Sequence, residues 1–128
     1  MVRPAAVFAV EQLGETAILT PASDLRELDY TQIEAGAREA FALLESGPVK
    51  NLVLDFRRTD YYGSTALGFF VRLWKRVSGR GGQMVFCNLS EYETEILRTA
   101  RLDQLWPLCP SREEALGLIR RGAPPPTA

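Results

Sequence analysis

Two hydroxyl residues, Ser64 and Thr65, follow Gly63 at the point where a helical pattern begins, and the 128-residue chain contains no histidine to activate either. Without histidine, His-based catalysis and His-ligated metal sites are excluded. A hydrolytic role for Ser64 would have to draw its base from Asp55, Asp60 or a lysine, so no catalytic residue is assigned and an enzyme is not expected. A hydroxyl at a helix start can do something else. The free N–H groups and positive end of the helix make a seat for phosphate, bound from outside or attached covalently.

The other helix starts sharpen that reading. Thr31-Gln-Ile-Glu34, Ser90-Glu-Tyr-Glu93 and Ser111-Arg-Glu-Glu114 each fit the capping box, a hydroxyl at the cap with a carboxylate three residues on. At the helix opening with Ser64-Thr65 the corresponding position holds Leu67, which leaves the anion position vacant; the alternative is that Ser64 is a plain hydroxyl cap. Two glycine-rich stretches carry no phosphate chemistry. Gly79-x-Gly81-Gly82 follows a helix and precedes a strand, the reverse of a dinucleotide fingerprint, and Gly63-Ser-Thr-Ala-Leu-Gly68 lacks the lysine of a phosphate-gripping loop. Cys87 and Cys109 are too few and too far apart for a zinc cluster or disulfide scaffold, and Cys87 reads as a small buried hydrophobe. No metal and no cofactor are expected.

The elements that must position these residues follow from apolar spacing. Val7 to Leu13 and Thr16 to Thr20 read as strands joined at Gly14-Glu15, with Pro21 closing the second. Pro21 to Asp29 is polar and irregular. From Thr31, Ile33, Ala37, Ala40, Phe41 and Leu44 share a helical face that Gly47-Pro48 terminates. Val49 to Phe56 is a strand buried on both faces at Leu52–Leu54. Arg57, Arg58 and Asp60 lie in the loop before the next helix, about Thr65 to Val77. Met84 to Cys87 is another buried strand. Helices at Ser90–Thr99 and Ser111–Arg120 flank a short strand around Leu105 to Leu108. The order β-β-α-β-α-β-α-β-α implies an α/β fold, a mixed four- to five-stranded sheet with about four helices. Its working surface is expected where strand C-termini feed helix N-termini, at Arg57 to Thr65. The helix there has two apolar stripes, Leu67/Phe70/Val71/Trp74 and Ala66/Phe69/Leu73. The second either packs under a neighbouring helix or serves as a contact surface. Trp74 and Trp106 could be core or interface.

Fifteen Lys and Arg against sixteen Asp and Glu give a net charge of -1, without the concentrated positive charge that nucleic acid requires. The length suits a single domain over 1–121 with a Pro-rich, disordered tail at 122–128. No membrane-spanning stretch and no secretory signal are read, so the expected location is cytoplasmic and Asn88-Leu89-Ser90 is no glycosylation site.

The run Leu52-Val53-Leu54-Asp55-Phe56, then Gly63-Ser64-Thr65-Ala66-Leu67-Gly68, then Gly81-Gly82 through Asn88-Leu89-Ser90 and Leu102-Asp103-Gln104-Leu105 resembles the STAS domain family. More narrowly it is similar to the single-domain bacterial anti-sigma factor antagonists. The resemblance implies a STAS-like fold and a non-enzymatic partner-switching role. Such a protein binds an anti-sigma factor that is also a serine/threonine kinase, is switched off when that kinase phosphorylates it, and is restored by a serine/threonine phosphatase. Carried over by position, Ser64 matches the first hydroxyl and Thr65 the phosphoacceptor, with Ser64 as second candidate. The partner-binding set is then Tyr61, Tyr62, Gly63, Ser64, Thr65, Phe69 and Leu73, with Arg57 and Arg58 as phosphate contacts. The chain departs from the family pattern at Gly63, where Asp is usual, and at Tyr61-Tyr62, which replace an apolar pair. Two alternatives stay open: a phosphorylation-independent scaffold, and a module that binds a ligand at the vacant helix start.

Overall fold

A computed structural model describes residues 8–22 and 30–121, leaving out the side chains of residues 30–33, 46 and 64. The irregular segment before the first helix, the Thr31 capping box, Ile33 and the Pro-rich tail all lie outside the described set. Within it the chain runs β1 Phe8–Leu13, β2 Thr16–Pro21, α1 Tyr30–Ser46, β3 Asn51–Asp55, α2 Ser64–Gly79, β4 Met84–Cys87, α3 Glu91–Thr99, β5 Leu108–Cys109 and α4 Arg112–Arg121. A single turn of 3-10 helix at Leu102–Gln104 precedes β5. Of the segment expected to be strand, Leu105 to Leu108, only Leu108 is strand; Leu105 and Trp106 continue the turn out of the 3-10 helix, with Leu105 in αR, and β5 is left with two residues.

The five strands lie in chain order, β1-β2-β3-β4-β5. β1 is antiparallel to β2 through the Gly14 turn, where φ is +61°, and the other neighbours are parallel. Leu52, Leu54, Ala17, Leu19, Met84 and Phe86 point to one face; Val53, Ile18, Val85 and Cys87 point to the other. Both sets are almost entirely buried, which is why β3 and β4 read as continuous apolar runs.

Strand order explains where the helices go. Each crossover from β2 to β5 steps in the same direction, and right-handed crossovers then place α1, α2 and α3 on one face. α4 follows the last strand, is no crossover, and folds back over the other face with Ala115, Leu116, Leu118 and Ile119 against the sheet. Between α2 and β4 the chain must pass tightly. Gly82 approaches Lys50 so closely that a Cβ would sit 1.6 Å from the Lys50 carbonyl oxygen. Glycine is required there by that close approach.

α1 and α2 pack through small residues on one side and large ones on the other. Ala37 and Ala40 of α1 and Phe69 and Leu73 of α2 are buried in the same core cluster. Phe69 meets Phe8 and Phe41, with ring centroids 5.4 and 6.4 Å away. Outside, Arg72 pairs with Glu34 and Arg76 with Glu45. The second stripe of α2 is therefore buried, with Phe69 against α1. The half-buried residues Leu67, Val71 and Trp74 of the first stripe border the core from outside. Trp106 belongs to the core, stacked on Phe86 at 4.9 Å.

Candidate functional site

Thr65 is exposed on the first turn of α2, at the C-terminal edge of the sheet. The helix is entered through Gly63, its N-cap, with extended backbone (φ −106°, ψ −173°) and no side-chain cap. Ser64 is therefore the first residue of the helix, not its cap; its own side chain lies outside the described set. No acidic residue stands in the first turn of α2, whereas α3 has Glu91 and Glu93 there and α4 has Glu113 and Glu114. The capping box at Ser90 is complete: its hydroxyl accepts from the Glu93 N–H, and the Glu93 carboxylate accepts from the Ser90 N–H. At α4 the Ser111 hydroxyl accepts from the Glu114 N–H at 3.2 Å. The positive end of α2 thus meets no protein carboxylate of its own first turn.

The loop that delivers Thr65 is held from α3. Glu93 is buried and accepts from the Thr59 hydroxyl at 2.8 Å as well as from Ser90. Tyr62 donates its hydroxyl to the Glu93 carbonyl at 2.7 Å, and the Ser90 hydroxyl donates to the Asp60 carbonyl at 2.9 Å. Burial pushes the Glu93 carboxyl above the ordinary range, against hydrogen bonds from Ser90 and Thr59 that pull it down. Burial, with the nearby Glu93 charge, also raises the Tyr62 phenol, which stays protonated and able to donate.

Three residues expected on the partner surface are not there. Tyr62, Phe69 and Leu73 are each 0% exposed. Tyr62 belongs to an aromatic cluster, 5.4 Å from Phe56 and 5.3 Å from Phe70 between ring centroids, with its hydroxyl reaching one buried acceptor. Phe69 lies against Phe41 of α1, and Leu73 is buried in the same core cluster. A partner of the folded domain cannot touch them. What remains at the surface is Thr65, with Gly63 and Tyr61 half-buried. Arg57 and Arg58 are exposed in the loop; Arg57 turns toward Asp55, donating its N–H to that carboxylate at 3.0 Å with its Nε 3.9 Å away.

Asp55, at the end of β3, is fully buried, and its partners account for its role. It also accepts from Asn88 Nδ2 at 2.9 Å and from Arg112 Nε at 3.1 Å, while Arg112 Nη1 reaches Glu11 on β1 at 2.8 Å. Burial alone would lower the Arg112 pKa, but the hydrogen bonds and charges of Glu11 and Asp55 outweigh it and raise it. This network pins α4 to the sheet. Cys87 is buried beside it, its thiol pushed up to about 12 chiefly by burial, which leaves no thiolate at neutral pH. Among the described residues there is no cluster of three or more metal-ligating side chains, and no helix is long and apolar enough to cross a membrane.

Sequence reading missed Tyr92 and Arg112. Tyr92 is 56% exposed and packs its ring 5.1 Å from Tyr61; its pairing with Ile96 at i, i+4 was the available signal. Arg112 had none, because its partners lie 57 and 101 residues away in the chain.

The model of the STAS domain family matches residues 8–115. Among solved structures, a proposed anti-sigma factor antagonist from Thermotoga maritima is 21% identical with a TM-score of 0.80, over 91% of this chain and 97% of that one. An anti-sigma factor antagonist from Mycobacterium paratuberculosis is 19% identical (TM-score 0.74, 94% and 99% covered). The Bacillus cell fate determinant SpoIIAA in its phosphorylated form is also 19% identical (TM-score 0.71, 88% and 99% covered). No curated protein sequence matches the chain.

Proposed function

Since the chain belongs to the STAS domain family, we propose that it is an anti-sigma factor antagonist, a non-enzymatic switch that binds an anti-sigma factor with serine/threonine kinase activity. Phosphorylation of Thr65 by that kinase releases the partner, and a serine/threonine phosphatase resets the chain, all in the cytoplasm. The observation that carries this reading is the exposed Thr65 hydroxyl on a helix start whose first turn holds no carboxylate. A phosphate there adds about -1.5 to -2 charge at the positive end of a helix, so the folded domain tolerates it. A partner surface packed over the same turn would have to bury that charge unpaired, which is strongly unfavourable.

Three variants test the switch. Thr65→Glu should leave stability unchanged or raise it by about 0.3–1 kcal/mol, yet abolish partner binding. Thr65→Ala should bind the partner and show no kinase-dependent mass increase. Ser64→Ala should still be phosphorylated. A Thr65→Glu protein that binds as tightly as wild type would favour a phosphorylation-independent scaffold, the reading that Gly63 in place of the family Asp supports. Phosphate found on Ser64 would move the switch by one residue.

A further inference from the structure

On its outer side, the seam between α2 and α3 opens into a groove of about 750 Å³. Its apolar lining comes from Leu67, Ile96 and Ala100, with Tyr92 as one wall. Tyr92 exposes more than half of its surface, and a tyrosine displayed beside an apolar groove is a frequent anchor of protein contacts. The charged side chains lining the groove are Glu91 and Glu95, both exposed. Glu95 meets Arg98 at 3.6 Å, an exposed pair on one helix that contributes little and is readily exchanged.

That combination selects its occupant. Two carboxylates repel the phosphates of nucleic acid and of anionic lipid. An apolar floor offers little to a polar metabolite. A short amphipathic helix suits it, with one apolar residue on the floor and Lys or Arg opposite Glu91 and Glu95. α3 is nine residues, roughly 13 Å long, enough to lie along two to three turns of such a helix. We propose that this groove docks a cationic amphipathic helix of the partner protein, beside the turn that carries Thr65 rather than on it. The proposal rests on the partner-binding reading above. The groove also adjoins the switch loop, since the Tyr92 ring packs at a tilt against Tyr61 and Glu93 holds Thr59.

The test uses the full chain, isotope-labelled, titrated with a synthetic 14-residue helix of leucine and lysine, and with the same helix carrying glutamate for lysine. The lysine peptide should shift the amide resonances of Leu67, Tyr92, Ile96 and Ala100, and the glutamate peptide should not bind. The double variant Glu91→Lys/Glu95→Lys should weaken the lysine peptide at least about tenfold. Glu113→Lys, on α4 across the sheet, should leave it within about twofold. Shifts centred elsewhere, equal binding of both peptides, or an unchanged double variant would overturn the groove. So would concentration-dependent shifts of the same four amides without peptide, which would assign the surface to a second copy of the chain. A Thr65→Glu protein that keeps its whole partner would overturn the switch and leave the peptide result intact.

Discussion

Glu93 carries two jobs with one carboxylate. It closes the capping box of α3 and holds Thr59 in the loop that leads to Thr65, and it does so buried. Its folded-state pKa lies above the unfolded value near 4.5. For an acid shifted in that direction the ionised form is disfavoured by folding. The penalty is complete above the folded pKa and disappears as pH falls toward the unfolded one. Relative to Glu93→Gln, the wild-type chain should therefore gain stability as pH is lowered from about 7 to about 4.5, read from urea midpoints. A flat difference would mean that Glu93 titrates as it does in water. In the sequence Glu93 was legible only as a cap, because the hydroxyl it receives comes from 34 residues earlier. Tyr62 was misplaced for a related reason. It sits in a loop by pattern, and only the ring cluster of Phe56, Phe70 and Phe86 around it shows that its side is the inside.

At the scale of one element, α2 is entered without a side-chain cap, and that can be repaired. Gly63 has a negative φ, and a Cβ built on it meets nothing within 4 Å, so Asp fits without strain. Gly63→Asp should accept from the free N–H groups of the first turn and raise stability by about 0.3–1 kcal/mol, seen as a higher melting temperature. A lower melting temperature would show that the turn needs glycine for a reason its backbone angles do not reveal. The two apolar stripes of α2 were visible in the sequence, but which one faces a neighbour was not. That depends on how α1 packs, and its Phe41 meets Phe69 while Leu73 is buried in the same cluster. The outward border is then Leu67, Val71 and Trp74. The absence of an acid from the first turn of α2, by contrast, could be read directly, since capping is a local property of four residues.

For the whole molecule, β3 and β4 lie next to each other inside the sheet and are covered on both faces, so their amides should exchange last with solvent water. Fast exchange across Met84–Cys87 would contradict this arrangement. The alternation of strands and helices announced a parallel sheet, and buried runs picked out its centre. That α4 would pack on the face opposite α1, α2 and α3 was hidden, because among the described residues no strand follows it to fix its side. Sheet order that repeats chain order has a consequence for synthesis. A ribosome delivers each strand beside one already made, and no later strand must be threaded between two earlier ones. Among the described residues, one face of the sheet is covered by a single helix, α4. The described cover of Ile18, Val53, Val85 and Cys87 arrives only when α4 emerges and Arg112 reaches back to Asp55 and Glu11. Until that step the growing chain carries an apolar strip of the kind that chaperones hold, and the arrival of α4 dismisses it.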